Sequence, residues 1–194
     1  MIRRLSFCFK GNRGYVQGPD IVTAVLNQFS AKEIVDLDFK FNGIASTNLD
    51  LIEGCTAEHA KVNIRLTVDG EPKSLQLIES GQAIECRYEF DEEQIVECCN
   101  LDMAAQSVEL RNPTTYTFYE NFVAMNKHLL QNLYPEEKGK WYFTRLEQKY
   151  PIDDNALITV RLIKNFNFRL TKSDILISNE VVGSVYFTMV REGV

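Results

Sequence analysis

The chain has 194 residues, with 21 Lys and Arg against 27 Asp and Glu, a formal net charge of −6. An acidic surface repels phosphate backbones, so no nucleic-acid partner is expected. No apolar run reaches the roughly 18 residues of a bilayer span, so no membrane partner is expected, and the opening MIRRLSFCFK, broken at Lys10, does not read as a secretory signal.

In chain order, Leu5 to Lys10 predicts a strand, with Leu5, Phe7 and Phe9 alternating against Ser6, Cys8 and Lys10. Gly11 to Gly18 is a loop. Pro19 suits a first helical turn, and Asp20 there complements the positive helix end. Ile21, Val22, Val25, Leu26 and Phe29 carry a helical apolar pattern as far as Ser30. Ile34 to Phe41 alternates as a strand, with Val35, Leu37, Phe39 and Phe41 on one face and Asp36, Asp38 and Lys40 outward. Thr47 to Ile52 predicts a short strand. Lys61 to Val68 alternates around Val62, Ile64, Leu66 and Val68, and Asp69-Gly70 is a hairpin turn returning into Lys73 to Ile78. Ala83 to Phe90 and Gln94 to Cys98 predict one or two further strands, and Asn100 to Gln106 a connector.

The second half begins with a strand at Ser107 to Arg111 and a loop at Asn112 to Tyr116. The clearest helix follows, from Thr117 to Tyr134. Thr117 and Glu120 have capping-box spacing. Phe118, Phe122, Met125, Leu129 and Leu133 recur at steps of three or four, Val123 and Leu130 widen the stripe, and Pro135 and Gly139 end it. Lys140 to Gln148, Ala156 to Lys164, Phe166 to Thr171, Asp174 to Ser178 and Val181 to Val190 predict strands. Both halves run strand, loop, helix, several strands. Leu5 set over Gln106 brings Tyr15 onto Tyr116, Val22 onto Val123 and Phe29 onto Leu130, and NIRLT from Asn63 matches NFRLT from Asn167.

Five cysteines, Cys8, Cys55, Cys86, Cys98 and Cys99, with no C-x-x-C, read as buried free thiols in a cytoplasmic protein. With two histidines and no ligand spacing, no metal is expected. No cofactor is expected either: Walker and G-x-G-x-x-G patterns are missing, and no Ser-centred G-x-S-x-G elbow occurs.

An antiparallel strand series with one apolar helix buries both surfaces by curling the sheet around the helix. In LSFCFK, GPDIVTAVLNQF and the strands after them, and again in SVELR, TFYENFVAMNKHLL and theirs, the chain resembles the hotdog fold, an α+β class. The expected architecture is a double hotdog, with a first repeat over 1–100 and a second over 101–194. A barrel without duplication and a lipocalin-like barrel are the competing folds; the latter would need nearly all strands and a terminal helix.

The resemblance implies acyl thioesters of coenzyme A or acyl carrier protein as partners, with pockets near helix N-termini. There, free N–H groups hold a developing oxyanion and a carboxylate activates water. It points to Glu120 and Asp20 as catalytic candidates, and to Asn12, Gln17, Tyr116 and Asn121 as substrate-binding ones. Each has a plainer role: Glu120 in a capping box, Asp20 complementing a helix end, the loop polar groups satisfying their own turns. Arg13, between Gly11 and Gly14, could meet a coenzyme A phosphate. Hotdog dehydratases pair a loop His with a helix carboxylate. Neither pre-helix loop here has a His, and His59 and His128 lie elsewhere. A thioesterase-like activity is therefore expected, with a non-catalytic acyl- or protein-binding hotdog as the alternative, and homo-oligomers through edge strands are open to either.

Overall fold

The computed structural model describes residues 2–54 and 57–191. The chain divides into two compact units, Met1–Asp91 with Gln148–Pro151, and Glu92–Glu147 with Ile152–Val194. Each contains a long apolar helix against a mainly antiparallel sheet, in agreement with the hotdog expectation.

Unit 1 contains β1 (Ile2–Leu5), β2 (Phe9–Lys10), α1 (Gly18–Asn27), β3 (Ile34–Phe41), β4 (Thr47–Glu53), β5 (Val62–Val68), β6 (Glu71–Ala83) and β7 (Arg87–Tyr88). Its sheet runs β1-β4-β6-β5-β3, antiparallel at every step. Alternation puts Leu49 and Leu51, Val62, Ile64, Leu66 and Val68, and Leu75 and Leu77 on the buried face, with Val22 and Val25 of α1 also fully buried. Asp69 and Gly70 both take positive φ, the geometry of a tight primed turn, and set the β5–β6 register.

Unit 2 contains α2 (Glu93–Glu97), β8 (Cys99–Asp102), β9 (Ser107–Leu110), α3 (Phe118–Leu133), β10 (Lys140–Gln148), β11 (Thr159–Asn165), β12 (Thr171–Ile177) and β13 (Glu180–Val190). The strand order is β10-β13-β12-β11-β9-β8. Phe118, Phe122, Met125, Leu129 and Leu130 of α3 are buried. The Phe122 ring meets Phe143 of β10 edge-on at 5.8 Å, and Phe143 lies 5.8 Å from Phe187 of β13. Truncating such a buried Phe costs about 3–5 kcal/mol, so this stack anchors helix to sheet. Gly139 opens β10 because any side chain there would strike the Val190 carbonyl oxygen, 2.7 Å from an added Cβ.

The sheets of the two units differ in strand order. The last two strands of unit 2, β12 and β13, follow β11 in spatial sequence. In unit 1 the last strand of the sheet, β6, sits between β4 and β5, and β7 pairs apart from it with β2. The connections account for it: β11 turns directly into β12 over Phe166 to Leu170, whereas the longer Gly54 to Lys61 joins β4 to a strand one place removed.

Several expected elements are corrected. Leu5 to Lys10 is not one strand: the ladder stops after Leu5, and the Phe7 N–H donates instead to Asn48 Oδ1 at 2.8 Å. The facing then changes, and Lys10 is buried. Gln94 to Cys98 is the helix α2, with Ile95 as its buried anchor. Ala83 to Phe90 keeps only β7, parallel to β2. Part of the expected connector, Asn100 to Gln106, is the strand β8. A bulge at Asp36, φ 55°, turns Ile34 and Leu37 inward together, so Val35 is only half-buried. Phe166 to Thr171 is a turn before β12, with Asn167 and Phe168 at positive φ and Asn165 Oδ1 accepting from the Phe168 N–H at 2.7 Å. NFRLT therefore lies mostly in a turn, whereas NIRLT lies inside β5. Cys8 and Cys86 are joined in a disulfide, which corrects the free-thiol expectation for that pair. Cys98 and Cys99 are free, and Cys55 lies outside the described residues.

Candidate functional site

The expected site residues gather at the starts of the two long helices. In unit 1, Gln17 is the N-cap of α1 in extended conformation, with no side-chain cap, and Pro19 fills the first turn. The Gln17 Nε2 is buried without a hydrogen-bond partner. Asp20 sits in that turn, and its Oδ1 lies 2.6 Å from the Lys10 Nζ. Lys10 is 1 % exposed. Its ammonium also lies 4.6 Å from the Phe90 ring centre and 5.7 Å from that of Tyr88. A buried ammonium needs an anion and polarisable surroundings, and Asp20 with two aromatic faces supplies both.

The segment bearing those rings is pinned in place. Cys86 is bonded to Cys8, the Phe9 N–H donates to the Cys86 oxygen at 3.0 Å, and the Gly11 N–H to the Tyr88 oxygen at 2.9 Å. Arg87 Nη1 donates to the Gly11 oxygen and, at 2.8 Å, to the Arg13 oxygen. Arg13 itself lies over the Phe90 ring at 5.9 Å. Asn12 is exposed on this loop.

At the start of α3 in unit 2 two of the first-turn donors, the Phe118 and Glu120 N–H groups, are taken by the protein's own side chains. The Glu120 N–H donates to Thr117 Oγ1 at 3.2 Å, and the Thr117 N–H donates to Glu120 Oε2 at 2.8 Å. This is a complete capping box. The Phe118 N–H donates to Asp154 Oδ1 at 2.7 Å. Asn121 is 1 % exposed. It accepts from Thr114 Oγ1 at 2.8 Å and donates to the Tyr116 oxygen at 3.4 Å, holding the pre-helix loop closed. The Tyr116 hydroxyl donates to Gln94 Oε1 of α2 at 3.0 Å. Glu120, Asn121 and Tyr116 are thus brought together within unit 2, as Asp20 and Gln17 are within unit 1.

Sequence reasoning missed Lys10 and Asp154. Lys10 was hidden by assuming one unbroken strand. Asp154 sits on a loop with no local signal that it would return to α3. His59 is exposed in a turn, and His128 lies midway along α3, its Nδ1 3.3 Å from the Asn132 Nδ2. Among the described residues, no three His, Cys, Asp or Glu side chains are grouped to hold a metal ion, and no helix is long and apolar enough to cross a membrane.

These features define a helix-on-curved-sheet protein of hotdog type, with a carboxylate at the start of each long helix. No protein family matches the chain, and no curated protein does. Solved structures do. A tesB protein of Mycobacterium avium subs paratuberculosis is 7 % identical, covering 91 % of this chain and 88 % of that one, with a TM-score of 0.49. The dehydratase domain of RzxB from Pseudomonas fluorescens is 10 % identical over 96 % of this chain and 97 % of that one, TM-score 0.45. The pyran synthase domain from module nine of the sorangicin pathway is 10 % identical over 98 % and 97 %, TM-score 0.49. The likeness is one of chain trace and assigns no chemistry to any residue here.

Proposed function

We propose that the chain is a double hotdog, with repeats over 1–100 and 101–194, that binds acyl thioesters of coenzyme A or acyl carrier protein. The order strand, helix, strands in both halves supports this reading. The observation that bears most on activity is that both candidate carboxylates are engaged. Asp20 neutralises Lys10, and Glu120 closes its own capping box. A carboxylate committed to a cation or to a helix cap is less available as a general base toward water. Binding without turnover is therefore the favoured form, and Glu120 is the weaker catalytic candidate because the α3 donors beside it are capped.

Thioesterase activity is the second reading, and one observation favours it: the α1 start has no side-chain cap, and Gln17 presents a buried unpartnered amide nitrogen there. Asp20 would activate water and the helix N–H groups would hold the oxyanion. Asn12, Gln17, Tyr116 and Asn121 are the proposed substrate contacts. Hydrolysis of acyl-CoAs of graded length, with Asp20→Asn and Glu120→Gln, separates the two. Wild-type turnover that is lost in Asp20→Asn and not restored when Lys10→Met is added supports the second reading. No turnover, with saturable binding of a non-hydrolysable acyl thioether, establishes the first. Neither turnover nor binding removes the acyl-thioester reading. Cytoplasmic residence belongs to this proposal; a Cys8–Cys86 bond persisting in cells lysed into an alkylating agent would oppose it.

A further inference from the structure

Unit 1 carries a cleft at the other end of α1, away from Asp20. It has a volume of about 240 Å³ and is lined by Arg3, Gln28, Phe29, Lys32, Leu51, Glu53, Lys73 and Leu75. Its origin is a mismatch of lengths. The 10 residues of α1 rise about 15 Å, whereas the 13 residues of β6 extend over about 43 Å, so the sheet outruns its helix. Register puts Arg3 opposite Leu51 and Glu53 opposite Leu75, and alternation carries Lys73 to the same side as Leu75. The helix-facing surface thus continues past Asn27 as a floor of Leu51, Leu75 and Phe29, with charged groups at the mouth.

The charge at that mouth is unbalanced in one direction. Lys73 holds Glu53 at 2.8 Å, and Lys32 holds Asp69 at 2.6 Å. Those pairs close on themselves. The Lys73 hydrogen bond and charge draw the Glu53 carboxyl below its usual range, and Arg3 adds only the smallest charge effect. Arg3 lines the cleft, and its guanidinium makes no hydrogen bond among the described residues, which leaves its planar fork of donors available to a ligand there. A fork of that kind takes a carboxylate through two parallel bonds. The apolar part of the floor suits an anion that carries an aliphatic chain, and the volume, about eight waters' worth, matches a chain of about six to eight carbons.

We propose that this cleft binds an unbranched aliphatic carboxylate, its head on Arg3 and its tail along Phe29, Leu51 and Leu75. The inference stands independently of any acyl-thioester chemistry at the helix starts. The test titrates the full chain with octanoate, octanol and octylamine by calorimetry, and follows the Leu51 and Leu75 methyl signals by NMR. Octanoate saturates one site and shifts those methyls, octanol binds more weakly, and octylamine does not bind. Arg3→Ala lowers octanoate affinity about tenfold or more while leaving octanol unchanged. Arg3 is an exposed edge side chain, and circular dichroism checks the fold of the variant; should it fail, the wild-type comparison of octanoate with octylamine decides alone. Equal binding of octanoate and octanol, octanoate binding indifferent to Arg3→Ala, or shifts confined to residues near Asp20 would overturn the proposal.

Discussion

Asp20→Asn is the most informative single change. It removes the anion 2.6 Å from an ammonium that is 1 % exposed. Breaking a buried pair by deleting one partner costs about 3–5 kcal/mol where the remaining charge is left uncompensated, and less where other groups still face it. Two features place this pair at the low end. The Asp20 side chain is 21 % exposed, so water reaches that side of the pair. Asn also keeps an oxygen that can accept from Lys10. Loss of a negative charge in the first helical turn adds about 0.3–1 kcal/mol. The expected total is about 3 kcal/mol. Lys10→Met fills the same space with an apolar chain but leaves Asp20 without that cation; because the carboxylate is 21 % exposed and sits in the first helical turn, the cost should be smaller, about 1–2 kcal/mol. The double variant should then be more stable than Asp20→Asn alone. Urea unfolding with unchanged slopes would give the cycle. Asp20→Asn within about 0.5 kcal/mol of wild type, or strictly additive effects, would refute the account of Lys10 as a charge held by Asp20. The cycle also protects the functional test: turnover absent in Asp20→Asn but restored in the double variant would mark Asp20 as a positioning group.

Asn126 of α3 is 0 % exposed, with both amide atoms unpartnered. Asn126→Leu should stabilise by about 1–2 kcal/mol in the same unfolding assay, and destabilisation would mean that the amide is satisfied in solution. The Tyr186 phenol is pushed up to about 12 by burial and by its hydrogen bond to Glu147. A folded value above the unfolded one, near 10, gives stability present below pH 10 and lost as pH rises through about 12. Tyr186→Phe should flatten the stability profile across that window and remove the late phenolate absorbance step; an unchanged profile would count against the assignment. Cys8→Ser opens a crosslink between residues 78 apart and should lower stability by about 2–4 kcal/mol, matched by reductant on the wild type. Reductant without effect would argue that the thiols are free in solution.

Where several local signals agreed, the fold was readable. The start of α3 announced itself through Thr117 and Glu120, its buried stripe through Phe118, Phe122, Met125 and Leu129, its end through Pro135. Asp69-Gly70 fixed a hairpin because few dipeptides tolerate two positive φ values. Failures came where tertiary contacts overrode a short pattern. Asn48, from β4, captures the Phe7 N–H and breaks the first ladder, so Lys10 turns inward against the alternation. Asn165 bends its own chain back onto Phe168, converting an alternating F-N-F-R-L stretch into a turn. Ile95 needs only one helical turn to reach the core, too short for periodicity to register. The candidate site was half legible: residues at the helix starts were named from spacing, but their partners Lys10 and Asp154 come from distant segments.

The displaced strand in unit 1 constrains how that unit can assemble. β6 needs β5 on one flank and β4 on the other, and only β5 is its neighbour in sequence. The two form a paddle closed by Asp69 and Gly70 that must reach β4 as a piece, across a contact distant along the chain. Strands β11, β12 and β13 each add to the one just made, like successive rungs. Within unit 1 the β5–β6 hairpin therefore forms ahead of the β4–β6 seam, and a pulse-labelling experiment should find the β5–β6 amides shielded from exchange first.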